Sequence, residues 1–147
     1  IRIMAGALGF GVPTRDLLVS RQHRMLVQSK IAARMFGATS VLVPAVKLLG
    51  LPGIYVDTTI TEVTYLHLLF DQHEIIYAES APTESLYTGA ETMKALNAEA
   101  RSEIELLFPE LGEPQHQPKP AKPIPPGKHQ KALIARHAKN RKPLLGT

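Results

Sequence analysis

A mainly β body, followed by one α-helix and a proline-rich basic tail, is the fold class the sequence predicts. Three observations carry it. Residues 1–87 hold β-branched and aromatic runs punctuated by Gly and Pro. A helical period appears only after Thr88, and seven of the 12 prolines fall between Pro109 and Pro126.

Taking the elements in order, Ser40–Val46 (SVLVPAV) reads as a strand in which Pro44 argues for an edge or a bulge. Tyr55–Tyr65 alternates polar and apolar residues through its centre, the pattern of a half-buried strand. Leu66–Phe70 and Glu74–Ala78 flank Asp71-Gln72-His73, which predicts a hairpin with a three-residue turn. Thr88 and Glu91 then have capping-box spacing, and Met93, Leu96, Ala100, Ile104 and Leu107 form one apolar stripe ended by Pro109. The organisation expected is a β-rich region over 1–87, a helix packing on it over 88–108, an extended linker over 109–127 and a basic tail over 128–147.

Charge divides the same way. Residues 1–110 hold 9 Lys and Arg against 12 Asp and Glu, whereas 111–147 hold 8 Lys and Arg against the single acid Glu113. The chain has no Cys, which excludes disulfides, thiolate metal sites and a cysteine nucleophile within it. No apolar run approaches the ~18 residues of a membrane span. A dinucleotide loop and a nucleophile-elbow serine motif are both lacking.

Three places hold candidate chemistry. In LLVSRQHRML, an apolar run delivers Ser20 and His23 three residues apart as the pattern breaks. A hydroxyl and an imidazole at that spacing can flank one peptide group, one bonding its carbonyl and the other serving its nitrogen. The same spacing also suits a surface serine and a turn histidine. His67, Asp71 and His73 cluster near the expected hairpin, where metal ligation competes with a satisfied, partly buried histidine. Lys128–Lys142 surrounds Ala132–Ala135 with cations, so a short helix could meet nucleic-acid phosphates or an anionic surface. That tail has no aromatic residue to stack on a base, and it reads as a solvated extension.

As an ordered set, DLLVSRQHRMLV (Asp16–Val27), VLVPAVKLL (Val41–Leu49) and VTYLHLLFDQHEIIYAESAPTESLY (Val63–Tyr87) resemble the bacterial Hint (hedgehog/intein) autoprocessing proteins, over about Ile1 to Phe108. The resemblance implies a Hint-type β-rich horseshoe or disc, incomplete at its N-terminus. Ser20 and His23 match the family's threonine/serine and histidine, which polarise the scissile peptide and assist an N-to-S acyl shift. His73 falls where the later strand block has its histidine. Where inteins end that block with His-Asn, this chain reads Glu84-Ser85, so asparagine cyclisation has no residue to perform it.

The family's nucleophile, a Cys or occasionally a Ser, opens the domain well before the S-x-x-H motif. Here Ser20 follows Ile1 by 19 positions. The expectation is therefore the C-terminal portion of a Hint domain, inactive alone, whose cleavage partner is its own upstream polypeptide in cis. No metal or organic cofactor is implied. Two other classes remain: a non-catalytic module whose basic tail contacts acidic protein or nucleic acid, and a metal-dependent hydrolase using His23, His67, Asp71 and His73.

Overall fold

The computed structural model describes residues 1–146. In chain order it runs β1 (Arg2–Ile3), β2 (Leu17–Leu18), β3 (Arg24–Gln28), α1 (Lys30–Phe36), β4 (Ser40–Pro44), a 3-10 turn (Ala45–Leu48), β5 (Ile54–Tyr55), β6 (Ile75–Ala78), β7 (Ala81–Glu84), α2 (Ala90–Ala95), α3 (Ala98–Leu107), a second 3-10 turn (Pro109–Gly112) and α4 (Gly127–Asn140). Two antiparallel sheets result, a small one ordered β2-β1-β5 and a larger one ordered β4-β3-β7-β6.

The apolar run Met25–Val27 makes β3 a central strand, paired along its length with β4 from Arg24↔Pro44 to Gln28↔Ser40. Pro44 ends an edge strand, where the missing amide costs no ladder bond. Ser29 caps α1 by accepting from the Ala32 amide, and Gly37 closes it in the left-handed conformation, φ 67°.

Over the whole chain helix outweighs strand, about 31% against 18%. The expected β-rich body holds in the two antiparallel sheets, whose seven strands all lie between Arg2 and Glu84, and the expected single helix does not. Of the strand expected over Tyr55–Tyr65 only Tyr55 is in a strand, as the second residue of β5, and no regular structure forms from Val56 to Phe70. With no strand pairing along it, the alternating stretch stays exposed at Val56, Ile60, Val63 and Tyr65, and beyond it, up to Phe70, only Leu68 O accepts a backbone bond, from the Leu86 amide. The hairpin lies one turn later than the sequence suggested. β6 pairs with β7 from Ile75↔Glu84 to Ala78↔Ala81, across the two-residue turn Glu79–Ser80. Both turn residues have positive φ, 49° and 65°, and the turn is tethered by the Thr14 amide donating to Glu79 O and by an Arg15–Glu79 ion pair.

The single helix expected after Thr88 is two. Leu96 adopts extended backbone, and Asn97 starts α3 by accepting from the Ala100 amide. Of the apolar stripe only Ile104 is buried.

The largest correction concerns the C-terminal third. The proline segment is docked rather than free: Pro123 O accepts from the Leu42 amide on the β4 edge, and Pro118 O accepts from the Tyr87 hydroxyl. Nor is the tail a solvated extension. Gln130, Leu133, Ile134 and His137 are buried along one face of α4, while its cations face outward. Leu133, Ile134 and Leu144 join Ile3, Leu8, Val27 and Val43 in one core.

The tail is also stitched to β3 and to the first loop. Gln28 donates to Leu144 O and accepts from Gly146, and Leu145 donates to Leu8 O. Gly9 (φ 109°) lies against the Pro143 ring, where no side chain would fit. His137, wholly buried, has both ring nitrogens satisfied. Lys142 O can only accept, so Nδ1 carries the proton, and Ser29 Oγ donates to Nε2.

Candidate functional site

Ser20 and His23 sit where the chain passes from one sheet to the other. β2 ends at Leu18, and the chain reverses through a turn in which the His23 amide donates to Ser20 O at 3.3 Å. The turn is pinned from the far side, because Val46 donates to Arg21 O and Ala45 donates to His23 O. The break in apolar pattern at Ser20 is thus a sharp corner that presents two side chains to one cleft of about 560 Å³.

Opposite them stands β7. Its ladder with β3 consists of the single register pair Met25↔Thr83, and the next two donor–acceptor links are made by side chains. Thr83 Oγ1 lies 2.7 Å from Arg24 O, and Glu84 Oε1 accepts from the Arg24 amide at 2.9 Å. A carbonyl oxygen only accepts, so the threonine proton points at Arg24 O. Thr83 Oγ1 also lies 2.6 Å from His23 Nε2, and its own proton is already committed. Nε2–H must therefore donate, which leaves Nδ1 as a lone-pair base. Among the described residues Nδ1 has no partner and is not buried, so it opens on the cleft. Burial holds the His23 pKa below its ordinary value, the nearby Glu84 carboxylate opposing this, and the ring is neutral near pH 7.

Glu84 is the buried hub beneath this wall. Beyond the Arg24 amide it receives the Arg24 guanidinium at 3.0 Å, and Oε2 lies 3.2 Å from His73 Nε2, a close polar contact rather than an aligned hydrogen bond. His73 Nδ1 accepts from the Ala121 amide, so its proton resides on Nε2, facing Glu84. The Tyr87 ring packs against both His73 and the Arg24 guanidinium, with centroid distances of 5.0 and 5.4 Å.

Of the residues picked from sequence, Ser20 and His23 share the cleft, with the His67 ring 6.0 Å from that of His23. His73 is separated from them by Glu84 and borders a neighbouring cleft with Asp71 and the proline segment. The set His23, His67, Asp71 and His73 is not gathered as ligands, and among the described residues no three His, Asp or Glu side chains come close enough to hold a metal ion. Glu84 and Ser85, the pair standing where inteins carry His-Asn, are both framework: Ser85 Oγ accepts from the Glu74 amide. Thr83, Glu84 and Arg24 were not singled out as site residues from sequence. Thr83 and Glu84 lie in an ordinary strand 60 residues beyond their partners, and no local signal marks them.

An uncharged imidazole, fixed in one tautomer on the wall of a cleft that a serine also lines, can take a proton and return it. A family model described as a Hint domain matches residues 1–90, and the chain belongs to the Hint domain family. No curated protein and no solved structure matches it. α4 lies outside the matched residues yet supplies part of the same core.

Proposed function

We propose that the chain is the C-terminal portion of a self-cleaving Hint module and is inactive by itself, since it holds no Cys. The observation that carries this reading is His23, neutral, with Nε2–H tied to Thr83 and Nδ1 without a partner among the described residues, in a cleft that Ser20 also lines. The Ile1 nitrogen donates to the carbonyl of Val19, the residue before Ser20.

In the reaction, an upstream cysteine thiol gives its proton to His23 Nδ1, and its sulfur adds to the carbonyl carbon of the preceding residue. The Ser20 hydroxyl donates to the carbonyl oxygen as charge develops there. The carbon–nitrogen bond breaks, and the imidazolium returns the proton to the departing amine, leaving a thioester. Water then attacks the thioester, releasing the upstream polypeptide as a carboxylic acid and restoring the thiol. His73 acts on this site through Glu84 and Arg24, as a positioning residue.

The test is a parent protein with its first-position cysteine intact, followed by gel and intact mass. Cleavage before that cysteine, accelerated by dithiothreitol or hydroxylamine and reduced at least about 100-fold in His23→Ala, is expected. A parent that stays whole with either nucleophile added would overturn the proposal.

A further inference from the structure

A separate cleft of about 470 Å³ opens where α1 meets the segment following α4, and it shares no residue with the His23 cleft. It is lined by the apolar side chains of Ile31, Pro143 and Phe10 and by Lys30, Arg34 and Lys142, with no acidic side chain in the lining. Lys30 and Arg34, one helical turn apart, project from one face of α1. Among the described residues none of the three cations has an ion-pair partner. Arg136, Lys139 and Arg141 stand exposed nearby along the chain and extend the positive field.

Phe10 is the informative member. Its side chain is 80% exposed, and its backbone is left-handed at φ 53°, a conformation that disfavours an aromatic residue. The ring is backed by Gly146, where an added Cβ would stand 3.2 Å from it. An aromatic plane held in the open beside unpaired cations matches a ligand that is itself flat, aromatic and anionic. An acidic peptide would use the cations and leave the ring idle. The basic tail lacks an aromatic of its own, and the fold brings Phe10 to it from the first loop.

We propose that this groove binds single-stranded nucleic acid, with a base stacked on Phe10 and phosphates on Lys30, Arg34 and Lys142. The site is independent of the cleavage chemistry, so the full cysteine-free chain serves for the test.

Fluorescence anisotropy with a labelled oligothymidylate of about 20 nucleotides should show binding that weakens with salt at a log–log slope of about −2, as for three single-strand phosphates. Phe10→Ala should lower affinity about tenfold with the slope kept, and Phe10→Tyr should retain binding. Lys142→Gln should flatten the slope by about 0.7. Circular dichroism melts confirm that each variant is folded. No binding at about 50 mM salt, equal binding of a polyglutamate peptide, or a folded Phe10→Ala protein with unchanged affinity would each overturn the proposal.

Discussion

His23 and Thr83, 60 residues apart, share a 2.6 Å hydrogen bond whose direction is set by a third group, the Arg24 carbonyl that occupies the threonine proton. One backbone oxygen thereby decides which nitrogen of the imidazole is a base. Nitrogen-15 NMR of the ring should report a single Nε2–H tautomer for His23. Thr83→Val should give a mixture and cost about 1–2 kcal/mol, because Arg24 O loses its donor, whereas Thr83→Ser should preserve the tautomer. An unchanged spectrum in Thr83→Val would sink the assignment.

Glu84 accepts from one amide and one guanidinium while almost fully buried. Replacing it with Ala strands both donors, and urea titration should show a loss of about 3 kcal/mol. Glu84→Gln keeps one acceptor and should lose clearly less. Equal losses would place the effect in packing rather than in hydrogen bonding.

The core role of α4 is open to a simple comparison. Leu133→Ala should destabilise by about 2–5 kcal/mol, since its side chain has no exposed surface. Lys131→Ala, one face away on the same helix and exposed, should change stability by less than about 0.5 kcal/mol. Similar small effects at both positions would mean that α4 is not packed.

Burial holds His23, His73 and His137 below their ordinary pKa. Between the folded values and about 6.5 the unfolded chain binds more protons than the folded one, so stability rises with pH across that window. It is full above about pH 6.5 and falls as the solution is acidified through it. Thermal midpoints compared at about pH 7.5 and about pH 5.5 should show the drop. His137→Gln should be less stable at both pH values but with a shallower dependence. A dependence as steep as that of the unsubstituted chain would remove His137 from the account.

What was legible in the sequence was local. The break after Val19, the edge proline at Pro44 and the strand character of Glu74–Ala78 each depend on neighbours a few residues away, and each appears in the fold, although the last pairs with Ala81–Glu84 and not with Leu66–Phe70. Val56–Phe70 misled because strand propensity describes a residue's fit to a sheet surface, and no strand lies beside it among the described residues. The basic tail misled differently. Gln130, Leu133, Ile134 and His137 recur at helical spacing, but two of the four are polar, and the surrounding cations dominated the average. The tautomer of His23 was beyond reach, since it depends on Thr83 and on a backbone carbonyl that only the folded sheet brings together.

The stitching of Leu144–Gly146 to Gln28 has a consequence for timing. β3 leaves the ribosome long before its last partners: Ser29 waits for His137, 108 residues later, and Gln28 for Gly146. Closing loops of that length is slow and brings no reward until both ends are present. The C-terminal end of β3 therefore gains these partners only once Gly146 has been made, and the strand that leads away from His23 is completed late in the synthesis of residues 1–146.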